Sequence, residues 1–313
     1  MADRGPVKIR ENKIDDLTNL YKESYKKLAR EIVTASDAGK IQKAKVMARI
    51  NYELKQLGID ADKVIREEIS KYYYDGANQA LEDLRKLDVD LSAPASAAIN
   101  REAVKALIDE TAALYADSII GVSRNASNIV SSVYRQQLNY ILAEGKLTGS
   151  TRRLISKAVT AQLQESGIGA LTDKAGRSWS LERYSAMLVR TKGAEARNQG
   201  LANKMVSYGY DLVQVSRHGS KHKACRDLEG KILSLTGATP KGTKLPGGYV
   251  VWGTLAEARS AGLFHPNCEH AINPYTPELA SKTKAYHNPY LKMTQEEQAA
   301  ADIAFRTRAV DTL

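Results

Sequence analysis

Apolar residues recur at helical spacing through most of the first 170 positions, and no other feature constrains the fold as strongly. Ile14, Leu17, Tyr21, Leu28 and Ile32 fall on one side of a helix, with lysine and glutamate between them. Met47, Ile50, Leu54 and Leu57 continue the pattern, and Gly58 reads as a stop. Asp60 or Asp62 is placed to cap a third helix carrying Ile65, Ile69, Tyr72 and Tyr73. The stretch LDVDLSAPASAA reads as a linker. Helix resumes with INREAVKALIDETAALYADSII and ASNIVSSVYRQQLNYILAEG, and Ser150 is the expected cap of STRRLISKAVTAQLQ. No fixed-period repeat is present, which argues against a solenoid. The stripes are narrow and contain tyrosine. They suit a seam between helices, completed by other helices of this chain or by partner helices.

Near residue 170 the texture changes. ALTDKAGRSWSLE has turn chemistry at Asp173 to Gly176 and predicts a short hairpin. A long helix is expected from a cap at Ser180 to a stop at Gly209. YDLVQVSR alternates as a strand should, GKILSL and YVVWG read as further strands, and TLAEARSAG reads as a short helix. The expected fold class is therefore α+β. A long, mainly helical N-terminal bundle or arm (1–170) precedes a small α+β domain (171–280), and a C-terminal tail follows (281–313).

Hydrophobic residues make up 43% of the chain, enough for a packed core, so global disorder is excluded. Tyrosine supplies 16 of the few aromatics, which suits thin helical interfaces where a ring packs and its hydroxyl reaches water. The start, MADRGPVKIRENKIDD, is polar throughout and has no signal-peptide pattern. No apolar run approaches the roughly 20 residues of a membrane span. The expectation is a soluble product of the cytoplasm, where two cysteines serve as thiols or ligands rather than as a disulfide. The formal charge of +10 favours an acidic partner such as nucleic acid, an acidic protein surface or anionic lipid. It is equally compatible with a solvated basic surface.

Histidine and cysteine are scarce and confined. The first 217 residues contain neither. One short segment offers His218, His222 and Cys225, and a second, FHPNCEH, offers His265, Cys268 and His270. Imidazole and thiolate are the usual ligands of zinc, and structural sites often draw two ligands from each of two segments. On an extended chain Cys268 and His270 point to the same face, with Pro266 and Asn267 supplying the turn before them. The spacing is not that of a Cys-x-x-Cys finger. The same residues also suit hydrogen-bonding loop histidines beside buried cysteines. A catalytic arrangement would pair a cysteine with a histidine, or a histidine with Asp227 or Glu229. No nucleophile motif or oxyanion loop accompanies them, and the glycines of LPGGY and EGK do not form a phosphate loop. An enzyme is not expected.

The order RTKGAEARNQGLANKMVSYGYDLVQVSRHGSKHKACRDLEGKILSL…GLFHPNCEHAINPY resembles the C-terminal domain of the phage minor capsid protein 2 family and the Mu F-like head morphogenesis proteins. The matching positions are Arg190, Thr191, His218, Cys225, Gly230, Asn267, Cys268 and His270, within about residues 180 to 275. Residue 225 is Cys where the family more often has His, an exchange that keeps a zinc ligand and removes a base. Residue 269 is Glu where the family usually has Arg. The resemblance ranks His218, Cys225, Cys268 and His270 as the metal set, with His222 and His265 below them because they lie outside the shared pattern.

The resemblance implies a minor structural protein of a tailed-phage head that is made in the host cytoplasm and resides in the virion. Its partners would be the portal protein, the major capsid protein or both, with self-association through the helical arm. It also implies sequence-independent, salt-sensitive contact with packaged double-stranded DNA. The basic residues offered for such contact are Lys26, Lys27 and Arg30, then Arg152, Arg153 and Lys157, then Arg217, Lys221, Lys223 and Arg226. Two other readings stand beside this one: a non-specific DNA-binding protein delivered with the genome, and a metal-dependent or cysteine hydrolase.

Overall fold

The computed structural model describes residues 11–37, 43–86, 91, 97–165, 171–172, 178–179, 181–220, 222–265, 268–276 and 293–300. Long helices dominate, and a small sheet occupies the C-terminal part. In chain order the elements begin with α1 (Glu11–Asp37), α2 (Lys43–Arg85), α3 (Ala97–Glu144), α4 (Gly149–Glu165), β1 (Leu171–Thr172) and β2 (Ser178–Trp179). They continue with α5 (Leu181–Ser207), β3 (Leu212–Val215), α6 (Lys223–Arg226), β4 (Ile232–Ser234), β5 (Val251–Thr254), α7 (Leu255–Ser260) and β6 (Ile272–Pro274).

The chain forms two compact units. One comprises Arg10–Glu67 and Ile108–Val189, and the other is drawn from Glu68–Leu107 and Arg190–Leu313. The change of texture near residue 170 separates helix-rich from sheet-bearing sequence, whereas the compact units divide within α2, α3 and α5.

In the first unit the predicted stripe is the interior. Tyr21, Leu28, Ile32, Ile50, Leu54 and Leu57 are buried. The Tyr21 ring stacks on Tyr115 with centroids 6.1 Å apart. Helices of the same chain thus complete this seam, and the Tyr21 ring does not reach water. Leu17 lies in α1, but its side chain is outside the described residues.

Two expected breaks are absent. The helix runs through Gly58 without stopping, and the two segments expected between residues 99 and 145 are the single helix α3. A Cβ at Gly58 would lie 3.3 Å from Ile119 Cδ1, so the glycine lets α3 approach closely. Packing of that kind offsets the roughly 1 kcal/mol that glycine costs inside a helix. The cap of α4 is Thr148, whose Oγ1 accepts from the Thr151 amide at 3.2 Å, rather than Ser150.

In the second unit α2 and α5 cross at glycine on glycine. A Cβ on Gly76 would sit 1.9 Å from the Arg197 carbonyl oxygen, and one on Gly200 would sit 1.9 Å from that of Tyr73. Asn203 of α5 donates to the Tyr73 hydroxyl at 2.7 Å beside this crossing. Gly209 ends α5 as expected, with φ +77°. The amides of Gly209 and Tyr210 donate back to the carbonyls of Val206 and Met205, a Schellman closure. The expected cap at Ser180 and the turn at 173–177 lie outside the described residues, but β1 and β2 pair antiparallel as the hairpin requires.

The sheet order is β5-β4-β3-β6. β3 is antiparallel to both neighbours, and β4 and β5 are parallel. Alternation buries Val213 and Val215 of β3 against Leu201 and Met205 of α5, with Leu233 and Ile272 from the flanking strands. Thr254 and Glu257 form a reciprocal capping box that starts α7 directly from β5. β6, which the sequence did not announce, pairs with β3 and brings the segment before it over the same core. Within the expected tail only 293–300 are described, where Thr294 and Glu297 hydrogen-bond reciprocally.

Candidate metal centre

Two short segments meet at one end of the sheet. The first is the crossover from β3 to β4. Gly219 and Gly230, both with positive φ, turn the chain at its two ends, and α6 forms one helical turn between them. The amides of Leu228 and Glu229 donate to the Cys225 carbonyl at 3.0 Å, fixing Cys225 inward. The second segment connects α7 to β6. Gly262 lets it close on α6, since a Cβ there would lie 2.8 Å from Ala224 Cβ. Phe264 follows with φ +64°, a strained conformation for an aromatic residue. The Cys268 amide donates to the His265 carbonyl at 2.9 Å, the turn expected before Cys268. Pro266 and Asn267 themselves lie outside the described residues.

The polar side chains form a continuous chain within the core. Cys225 Sγ lies 3.6 Å from Cys268 Sγ, and the two are not joined as a disulfide. Cys268 Sγ lies 3.4 Å from His270 Nδ1. His270 Nε2 lies 3.2 Å from Glu229 Oε1, which also accepts the amides of Ser220 at 2.8 Å and His218 at 3.2 Å. The His218 ring packs at 4.0 Å on His270, and the His222 ring packs at 3.9 Å on His265. Three trios of ligand atoms lie mutually within 4.8 Å: His222, Cys225 and His265; Cys225, Cys268 and His270; His218, Glu229 and His270.

Of the higher-ranked set, Cys225, Cys268 and His270 therefore converge. His218 stands on the far side of His270, with Glu229. The lower-ranked His222 and His265 flank Cys225 directly. Two further residues contribute: Glu229, which the sequence offered only as a histidine's partner in a catalytic arrangement, and Asn198, which it did not single out. Glu229 is a buried carboxylate that fixes the His270 ring. Asn198 of α5 donates to the His270 carbonyl and accepts from the Ile272 amide, tying the second segment to the helix. An asparagine on the buried face of a helix was the available signal.

The electrostatics follow from this geometry. Burial disfavours charge on His270, but hydrogen bonds to Cys268 and Glu229 outweigh it and raise its pKa to about 9. The hydrogen bond between the sulfurs acts oppositely on its two ends. It pulls Cys268 down, aided by His270 and against burial, and it pushes Cys225 up together with burial. The two sulfurs thus titrate as a pair, with Cys268 the more acidic member. Glu229 is lowered: burial opposes its charge, but hydrogen bonds from His270, Ser220 and His218 prevail. His218 is lowered, first by burial and then by His270. Backbone amides also address the sulfurs, that of Phe264 at Cys225 and that of His270 at Cys268. The arrangement can hold a soft divalent cation or a thiolate–imidazolium pair.

The residues offered for nucleic acid separate by exposure. Lys26, Lys27 and Arg30 on α1, and Arg152, Arg153 and Lys157 on α4, are exposed. Lys26 is paired with Glu23 at 2.7 Å and Lys27 with Glu53 at 3.5 Å. Lys223 is exposed, Arg217 is half-buried with its guanidinium 3.1 Å from the Tyr249 hydroxyl, and Lys221 lies outside the described residues. Arg226 is a correction. It is only 4% exposed because it ends the buried turn of α6, so it cannot meet a phosphate.

A family model described as phage minor capsid protein 2 matches residues 12–311. A curated relative named "Structural protein", from Lactococcus phage LL-H, is 29% identical over 107 residues. That stretch is 34% of this chain and 28% of the relative, so the chain spans well under two thirds of the relative's length. No solved structure matches. Among the described residues no helix is long and apolar enough to cross a membrane.

Proposed function

Because the chain belongs to the phage minor capsid protein 2 family, we propose that it is a minor structural component of a tailed-phage head, seated against the portal or the inner shell and lying beside packaged DNA. The observation that carries this reading is the family match across nearly the whole chain, 12–311. The relative named as a structural protein points the same way.

Two surfaces of the helical unit suit the two tasks. Toward its C-terminal end α3 exposes Tyr134, Leu138, Ile141 and Leu142 at 42, 42, 38 and 75%. Their spacing makes one helical stripe, of the kind that lays into the apolar groove of a larger assembly. This stripe, rather than the buried Tyr21 seam, is the assembly surface in our reading. Arg153 and Lys157, one turn apart on α4, are exposed and suit sequence-independent contact with phosphate. Proximity to the portal would aid head morphogenesis by fixing where the DNA enters.

A structural role also suits the Cys268–His270–Glu229 chain better than hydrolysis does. Cys268 and His270 are 9% and 1% exposed, and Cys225 covers the sulfur that would have to attack. A nucleophile must reach its substrate, and this one faces the core.

The test is mass spectrometry of purified, nuclease-treated particles carrying the parent chain or Leu138→Asp/Leu142→Asp. The parent should be present at a small fraction of the major capsid protein and crosslink to portal or shell. The variant should fold, as judged by circular dichroism, yet be depleted from particles. A parent chain confined to infected cells and absent from particles would overturn the structural reading. Normal incorporation of the variant would overturn the stripe as the anchor.

A further inference from the structure

We propose that Cys225, Cys268 and His270, completed by one imidazole of the His222–His265 pair, form a structural zinc site that locks the β3–β4 crossover to the segment before β6. The inference stands independently of the head-protein reading.

Four observations carry it. The first is distance. Ligands about 2.3 Å (sulfur) and 2.0 Å (nitrogen) from zinc lie roughly 3.8 Å (sulfur to sulfur) and about 3.5 Å (sulfur to nitrogen) apart along a tetrahedron's edges. Cys225 and Cys268 Sγ are 3.6 Å apart without a disulfide, and Cys268 Sγ is 3.4 Å from His270 Nδ1. The three ligand atoms lie mutually within 4.8 Å, close enough to face one cation. His222 and His265 line the other side of Cys225 as a second trio sharing that sulfur, each with one ligand atom within 4.8 Å of it, so that one of the two imidazoles would turn toward the first trio to complete four ligands.

The second is the partner of the third ligand. A metal-bound imidazole usually gives its other N–H to a carboxylate or carbonyl, which fixes the ring and its tautomer. His270 directs Nδ1 at the sulfurs and Nε2 at Glu229, which is held in turn by the amides of His218 and Ser220. The third is the treatment of the sulfurs. Both are buried and lie side by side at 3.6 Å without a disulfide, and Phe264, four residues before Cys268, adopts its strained φ of +64°. A divalent cation seated between the sulfurs would displace the thiol protons and satisfy both at once. Two thiolates, two neutral imidazoles and Zn²⁺ sum to zero charge, which suits burial.

The fourth is topology. The two cysteines are 43 residues apart, Cys225 in the single helical turn of α6 and Cys268 in the segment before β6, and neither is on a strand. The strands of this sheet are only three or four residues long. A metal closing that loop stabilises a sheet too small to hold its loops by hydrophobic contact alone.

The test uses the full chain purified under reducing conditions, with zinc counted by inductively coupled plasma mass spectrometry and Co²⁺ as the optical probe. The expected result is one zinc per chain, together with a cobalt form showing thiolate charge transfer and intense tetrahedral d–d absorption. Cys268→Ser should abolish zinc binding, and His222→Gln/His265→Gln should change the cobalt spectrum. Glu229→Gln leaves every ligand in place, so it should keep the stoichiometry while weakening zinc affinity about 10–100-fold. The parent chain itself decides the matter if a variant fails to fold. Parent protein without zinc, giving no charge-transfer band with Co²⁺ and two freely titrating thiols, would overturn the site. So would an intact mass two hydrogens low, which would identify a Cys225–Cys268 disulfide. Zinc bound equally well by Cys225→Ser/Cys268→Ser would place the metal elsewhere and likewise refute the assignment.

Discussion

Gly76→Ala sets two effects of opposite sign against each other. Alanine favours the helix over glycine by about 1 kcal/mol, so propensity alone predicts a more stable protein. The crossing predicts the reverse. The new Cβ would lie 1.9 Å from the Arg197 carbonyl oxygen, and that obstacle is backbone, which cannot rotate aside. Carbon and oxygen approach no closer than about 3.3 Å even in favourable Cα–H···O contacts, so α2 and α5 would have to part by roughly 1.4 Å. That separation loosens the packing of the fully buried Tyr73 and Ala80 and pulls on the 2.7 Å bond from Asn203 to the Tyr73 hydroxyl. Overpacking of a well-packed interface costs about 1–3 kcal/mol and sometimes more, so we expect a net loss of about 1 kcal/mol after the propensity gain, rising to about 2 kcal/mol at the upper end of that range. Gly200→Ala should behave alike, because its Cβ meets the Tyr73 carbonyl at the same 1.9 Å. Gly149→Ala, with nothing within 4 Å, serves as the control and should be neutral or stabilising. Urea unfolding followed by circular dichroism and by the fluorescence of Trp252 reads the difference. Gly76→Ala at least as stable as the parent would refute the close crossing.

Asp211 should carry an acid-sensitive part of the sheet's stability. Its carboxylate accepts from Ser234, Thr236 and Thr239 through five hydrogen bonds of 2.6–3.1 Å. Burial alone would raise its pKa, but these bonds prevail and hold it at about 2, below the ordinary 3.8. The folded pKa is the depressed one, so the stabilisation is present above 3.8 and is lost as the pH falls through about 2. Its size is on the order of 1 kcal/mol after discounting for solvent screening. The acid arm of the parent's melting curve should therefore be steeper than that of Asp211→Ala, and identical pH profiles would count against the network. If α4 faces phosphate, Arg153→Ala/Lys157→Ala should lower the salt slope of duplex DNA binding by about 2. Lys26→Ala should do less, since that ammonium is already paired with Glu23. An unchanged slope in the α4 variant would remove that helix from the DNA surface.

Helices are legible in the sequence because their signal is local. The spacing of Tyr21, Leu28, Ile32, Ile50 and Leu54 is the interior of the bundle. The strand of alternating Val213 and Val215 and the stop at Gly209 are equally plain. Errors came where a local signal met a tertiary one. Gly58 resembles a helix stop, yet a neighbouring helix occupies the space its missing side chain leaves. Arg226 resembles a surface cation, yet it ends a turn folded into the core. The sequence does not mark the stripe from Tyr134 to Leu142 as exposed, because an apolar helical period does not reveal which side remains uncovered.

Sequence by itself determined the residue types and the two segments of the candidate centre, because histidine and cysteine are so rare elsewhere in the chain. It also indicated the family, since a pattern of several residues in fixed order is local information. Only the tertiary structure decided which side chains meet. Cys225 reaches Cys268, and Glu229 reaches His270, because the β3–β4 crossover and the loop before β6 fold over the same end of one sheet. That end is set by strand pairing between residues far apart in the chain, and spacing along the sequence carries no record of it.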